Sequence, residues 1–254
     1  MDLPVTDAPS PPRGAPLEGP VIRLVQFPPV WGRNVSPFTL KLETWLRLAG
    51  IPFEAAHSMK LHKAPKGKLP YIVDNGVKVA DSSLVIEHLK RTRGIDPDAA
   101  LGPHERAAAL ALQRLFEDHL YFILAWSRWI DPAGWEAMAE GFFDGVPALL
   151  RGPLRPLMRR QVRRTLWLQG IARYSPEEIL ELAREDLEAA ACHLGDKPFF
   201  MGEQLTTIDA VAYGFLANII FVPVETDLKR LVLAYPNLVA FCETMEQGLY
   251  GDAC

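Results

Sequence analysis

The chain has 254 residues, is 49% apolar and 23% charged, and carries a formal charge of −4 at neutral pH. That balance excludes a general nucleic-acid binder, whose footprint is strongly basic, and no apolar run is long enough for stable membrane insertion as a spanning helix. Cys192, Cys242 and Cys254 lack metal-ligand spacing and fit a reducing, cytoplasmic setting better than a disulfide scaffold, so no metal site is expected.

Residues 1–20 hold Pro4, Pro9, Pro11, Pro12, Pro16 and Pro20 and no apolar h-region, which predicts a disordered tail and not a secretory signal. Val21 to Phe27 reads as a mostly buried strand, stopped by Pro28-Pro29. An exposed loop with Trp31, Arg33 and Asn34 follows. Ser36-Pro37 then opens a helix, because Ser is a favoured cap and Pro a favoured first helical residue. Phe38, Leu42, Trp45, Leu46 and Ala49 keep helical spacing up to the stop at Gly50. Phe53 to Ser58 is a weak strand, and His57 to Lys68 a short, Lys-rich connection.

Tyr71 to Val73 and Val77 to Val79 form a hairpin around Asp74-Asn75-Gly76, since Asn and Gly tolerate the positive φ of a tight turn. Pro70, at the mouth of the first of these strands, is a candidate cis bond. Asp81-Ser82 begins the next helix, to about Thr92, where free N–H groups and the dipole favour an anion. Both residues are equally able simply to cap it. Pro70 on one side and Ser82 on the other form a seat for a small carboxylated molecule.

Beyond Asp96 the pattern is helical throughout. Pro103 to Ile130 reads as one amphipathic run and Trp135 to Phe143 as a shorter helix. Gly145, Pro147, Gly152, Pro153 and Pro156 predict an irregular stretch before a helix over Leu157–Leu168. Ser175-Pro176-Glu177-Glu178 and Thr206-Thr207-Ile208-Asp209 are capping boxes for helices to about Leu194 and Phe221, and two more helices follow around 227–233 and 237–249.

The order β-α-β-β-β-α followed by helices resembles the glutathione transferase superfamily. Ser36 resembles its catalytic Ser or Cys, and Leu69-Pro70 the Val-cisPro that binds the glutathione backbone. Asp81-Ser82 resembles the acidic-Ser pair of the γ-glutamyl end, and Leu205 to Asp209 the box that starts its buried helix. SPFTLKLETWLRLAGIPFE, PKGKLPYI and IARYSPEEI are most similar to the metaxin and failed-axon-connections branch. The resemblance implies a thioredoxin-like α/β N-terminal domain (21–94) with an all-α C-terminal domain (95–254). It implies glutathione as co-substrate, a small-molecule hydrophobic electrophile as partner, and a homodimer as one possible assembly.

On that reading Ser36 stabilises the thiolate of glutathione with its hydroxyl and its helix N-terminus; capping alone is the alternative. With Thr at position 39 and no Cys at 36, a glutaredoxin-type thiol reaction at this motif is not expected. Lys68, with Lys66, faces the glycyl carboxylate or only solvent. Trp31, Arg33 and Asn34 are expected to touch the second substrate, as are Tyr121 and Trp126 unless they and Phe122, Trp129 and Trp135 are core. The departure from mainstream members, the short 57–68 connection, leaves open a non-catalytic adaptor for a protein or membrane. Arg151, Arg155, Arg159, Arg160, Arg163, Arg164 and Arg173 occur without an acid between Gly145 and Pro176. Leu154, Leu157, Met158, Val162, Leu166 and Trp167 are expected to seat that segment on the core, leaving its arginines solvated and anionic vesicles unbound.

Overall fold

The computed structural model describes residues 21–144, 146 and 148–251, so the Pro-rich segment 1–20 and Cys254 lie outside the described residues. Four strands form a mixed sheet in the order β2-β1-β3-β4: β1 (Ile22–Gln26), β2 (Phe53–His57), β3 (Tyr71–Asp74) and β4 (Val77–Ala80). β1 pairs in parallel with β2 and antiparallel with β3, and β3 pairs antiparallel with β4. The β3–β4 turn has Asn75 at φ 50° and Gly76 at φ 81°, as the Asn-Gly pair requires.

Alternation along β1 sends Ile22 and Leu24 to one face of the sheet and Val25 to the other. The first face packs on Leu42, Trp45 and Leu46 of α1 (Pro37–Leu48) and on Val85 and Leu89 of α2 (Ser82–Arg93). The second face, with Tyr71 and Ala80, is covered by Ala64 and Leu69. Ala64 belongs to the 57–68 connection, whose regular structure is a single 3-10 turn over Leu61–Lys63, and Leu69 follows directly after it.

The remaining elements are helical. The predicted 103–130 run is continuous but divides into α3 (Pro103–Arg114), a π-helical segment (Leu115–Leu120) and α4 (Tyr121–Trp129). Then come α5 (Pro132–Gly141), α6 (Ala148–Gln169), α7 (Pro176–Leu194), α8 (Thr207–Ile220), α9 (Asp227–Val232) and α10 (Pro236–Tyr250). Both capping boxes form. Ser175 Oγ accepts from the Glu178 amide while the Glu178 carboxylate accepts from the Ser175 amide. The buried Asp209 carboxylate accepts from the amides of Phe200 and Thr206 and from the Thr206 hydroxyl, each at 2.7 Å. Burial pushes its pKa up to about 6, against the pull of those donors.

Two expectations for 145–168 are corrected. The helix begins at Ala148 and carries Pro153 and Pro156 inside it. Each Pro frees a carbonyl four residues back, at Leu149 and Gly152. Both residues are exposed, so solvent has access to the segment where the prolines release a carbonyl. The apolar residues also divide between two faces. Leu166 is buried and Met158 and Val162 partly buried, but Leu154, Leu157 and Trp167 are exposed. At about 100° per residue, 158, 162 and 166 share one side of α6, with Leu154 at its edge and Leu157 turned away from it.

α8 is buried from Ile208 to Ile220 and crosses α1 closely. A Cβ on Gly214 would stand 2.8 Å from the Pro37 carbonyl oxygen and 2.8 Å from the Lys41 nitrogen, both backbone atoms. Gly214→Ala must therefore push the two helices apart. We expect a loss of about 1–3 kcal/mol, read as a lower urea midpoint at unchanged slope. An unchanged midpoint would mean that the crossing is looser than described.

Candidate functional site

Register brings the predicted motifs to one end of the sheet. Val25 of β1 stands opposite Tyr71 of β3, and Tyr71 opposite Ala80 of β4. Just past that row lie the segment leading to Ser36, the Leu69-Pro70 bond and Asp81-Ser82. The Leu69-Pro70 peptide is cis, and both residues are buried.

Ser36 is the N-cap of α1, with φ −95° and ψ 113°, and Pro37 is the first helical residue. Its carbonyl accepts from the Thr39 and Leu40 amides at 3.0 Å, and its own amide donates to Asn34 Oδ1 at 3.0 Å. The half-buried Ser36 hydroxyl makes no capping hydrogen bond. It stands at a positive helix end with its donor uncommitted, which is chemistry suited to an anion. Asp81 does cap: held at φ 80°, its carboxylate accepts from the Ser83 amide at 3.0 Å and the Leu84 amide at 3.4 Å. Ser82 beside it is buried, whereas Lys66 and Lys68 are exposed.

The loop before Ser36 is fastened to the helical part. Val30 and Arg33 form an isolated bridge around Trp31 (φ 52°) and Gly32 (φ 74°). Arg33 makes two hydrogen bonds to Glu246, at 2.7 and 2.9 Å, and lies over Phe221. Those bonds raise the Arg33 pKa. Burial opposes the Glu246 carboxylate, but its bonds from Arg33 and Tyr213 outweigh that and lower its pKa. Asn34 is buried and donates to the Phe27 carbonyl at 3.3 Å. The polar groups of Arg33 and Asn34 thus serve the loop itself. Trp31 stays partly exposed, its ring so close to Gly141 that a Cβ there would overlap it.

Tyr121 and Trp126 go separate ways. Tyr121 packs edge-on against Phe38, with ring centroids 4.9 Å apart, two residues from Ser36. Burial raises its phenol pKa. Trp126 instead lines a cavity of about 30 Å³ between α4, α7 and α9, with Ile179 and Leu228. Trp129 and Trp135 pack with Phe142 and Phe143.

Two buried networks escaped the sequence reading. Lys41, fully buried in α1, donates to Glu117 at 2.5 Å and to Ser83 Oγ at 2.7 Å. Gln113 donates to the same Ser83 Oγ and to Glu117 Oε2, each at 3.0 Å. Burial lowers the Lys41 pKa, and Glu117 opposes that shift. The available signal was a Lys between Leu40 and Leu42 on an apolar helix. The second network is centred on Arg128, buried without a carboxylate partner. It donates to the Val35 carbonyl at 2.7 Å, the Asn218 carbonyl at 2.5 Å and Asn218 Oδ1 at 3.1 Å. Burial pushes its pKa down to about 10.

Comparison with known proteins agrees with this geometry. The family signature described as glutathione S-transferase N-terminal domain matches residues 37–134, and that of the C-terminal domain residues 183–245. The isoprene-epoxide–glutathione S-transferase of Rhodococcus sp. (strain AD45) is 36% identical over 235 residues, covering 89% of this chain and 98% of that enzyme. Failed axon connections of Drosophila melanogaster is 28% identical over 240 residues, and the match covers 86% of this chain but 55% of that protein. A glutathione S-transferase of Ceriporiopsis subvermispora, crystallised with glutathione, superposes with a TM-score of 0.65 at 18% identity, over 90% of this chain and 98% of the other.

Arg128→Lys keeps the buried charge, but a point ammonium cannot span three acceptors as a planar guanidinium does. We expect a stability loss of about 1.5–3 kcal/mol in chemical denaturation, for at least one orphaned buried oxygen beside Ser36. A variant as stable as the parent would mean that Arg128 does not hold Val35.

Proposed function

The chain belongs to the glutathione S-transferase superfamily, in the branch that also includes metaxins and failed axon connections, and from that premise we propose that it conjugates glutathione to a small hydrophobic electrophile. The observation that carries this reading is the Ser36 hydroxyl, left unused by its own helix at the N-terminus of α1. In the proposed reaction glutathione lies along the sheet end. The Leu69-Pro70 backbone meets its peptide, Asp81 and Ser82 its γ-glutamyl end, and Lys68 its glycyl carboxylate. The thiol loses its proton to solvent, and the Ser36 hydroxyl and helix dipole hold the resulting thiolate.

The sulfur attacks an electrophilic carbon against Tyr121 and Trp31. With an epoxide, a C–S bond forms, a ring C–O bond breaks and water protonates the alkoxide. The epoxide class follows the Rhodococcus relative. The free cysteines Cys192 and Cys242 support a reducing cytoplasmic setting, and exposed Val77, Leu84 and Leu110 support a homodimer.

A second reading is a non-catalytic adaptor. It is supported by the single 3-10 turn of the 57–68 connection, which leaves Lys66 and Lys68 in solvent.

Ser36→Ala should lower turnover of an aryl halide or a small alkenyl epoxide roughly tenfold to a hundredfold, with little change in glutathione Kd. Parent-level turnover in this variant would reduce Ser36 to a backbone cap. Millimolar glutathione should also raise the melting temperature by mass action, and Ser82→Ala should diminish the rise. No rise in the parent protein would favour the adaptor.

A further inference from the structure

On α6, apolar side chains and unpaired positive charge share a solvent-facing surface. The helix has 22 residues, which at 1.5 Å per residue is about 33 Å long. Leu150 is 55% exposed, Leu154 37%, Leu157 63% and Leu168 69%. At about 100° per residue these four fall within roughly 60° of one another, so they form a stripe along the outer side of the helix.

The arginines divide into two groups. Arg151 donates to the Asp144 and Val146 carbonyls, Arg155 lies over Phe143, Arg159 donates to the Trp129 and Ile130 carbonyls, and Arg173 stacks on Trp167. These are engaged by neighbouring groups of the chain. Arg160, Arg163 and Arg164 are exposed and make no ion pair among the described residues. Counted round the helix, they flank the leucine stripe on one side, and Trp167, 54% exposed, lies among them. No acid interrupts 145–176, although the whole chain is net negative.

We propose that the outer face of α6 docks flat on an anionic lipid surface, with its leucines at the acyl boundary and Arg160, Arg163 and Arg164 against the phosphates. The charge sign selects the occupant. The stripe is apolar and edged by cations and a Trp, the composition of a helix lying in a bilayer interface. A second copy seated on the same face would bring two arginine rows together, and like charges across a contact oppose it. No helix among the described residues is long and apolar enough to cross a membrane, so the association is peripheral.

Co-sedimentation of the full chain with phosphatidylcholine vesicles, with and without phosphatidylserine, tests this. The expected result is binding that requires phosphatidylserine and weakens as salt screens the charges. Arg160→Gln/Arg163→Gln/Arg164→Gln should lower the partition coefficient roughly a hundredfold, at about tenfold or less per charge. Leu154→Ser/Leu157→Ser should weaken binding independently. These five side chains are exposed, so both variants should melt with the parent protein, which separates lost docking from lost folding. Absence of binding to phosphatidylserine vesicles overturns the proposal, as does equal binding to neutral vesicles. Retention on immobilised polyglutamate without vesicle binding overturns it in favour of an acidic protein partner.

Discussion

Where α8 passes across the first turn of α1, the two backbones come so close that only a hydrogen fits at position 214. That contact joins the sheet part to the helical part, and the site depends on it because Ser36 stands at the start of the same turn. Interaction across the crossing is both apolar and polar. Phe38 packs on Phe215 of α8 with ring centroids 5.3 Å apart, and Asn218 one turn on donates to the Asn34 carbonyl at 3.4 Å. Arg128 closes the arrangement from α4 by holding the carbonyls of both Val35 and Asn218. The residues before Ser36 are therefore set by the helical part as much as by the sheet.

Burying charges at this junction is costly, and the structure shows how each is compensated. Lys41 meets one oxygen of Glu117, and the other oxygen of that carboxylate accepts from Gln113. A pair of this kind adds little net stability against an apolar replacement, but breaking it leaves an uncompensated charge. What it does here is geometric: Lys41 and Gln113 converge on Ser83 Oγ, one residue after Ser82. The N-termini of α1 and α2 are thereby referred to one polar cluster on the helical part. Two helix ends fixed this way present their dipoles to the same end of the sheet, where an anion needs no rearrangement to be received.

The parts legible from sequence are those whose cause is local. Asn75-Gly76, Ser36-Pro37 and the boxes at Ser175 and Thr206 each specify a turn or cap from a few adjacent residues, and each forms. The cis bond before Pro70 is a candidate from its place at a strand mouth and is implied by the resemblance of Leu69-Pro70 to the family's Val-cisPro, and it forms. What escaped was set by distant partners. Lys41 reads as one polar residue on α1 until Glu117 arrives from 76 positions away. Arg128 reads as a surface residue until its carbonyl acceptors appear. Arg33 and Asn34 are expected to touch a second substrate, and their bonds to Glu246 and to the Phe27 carbonyl cannot be read from the loop sequence. In 145–168 the prolines suggest a break, but α6 continues through Pro153 and Pro156, and the carbonyls they free belong to exposed residues.

The account turns on the claim that one sheet end, bounded by the starts of α1 and α2 and by the segment before β3, receives glutathione. Backbone amide NMR during titration with reduced glutathione tests it most directly. Saturable shifts confined to Ser36, Phe38, Leu69, Tyr71, Ser82 and Ser83, with α9 and α10 unmoved, are the predicted result. Unmoved resonances at those six residues at millimolar glutathione, or saturable shifts only elsewhere, would contradict it.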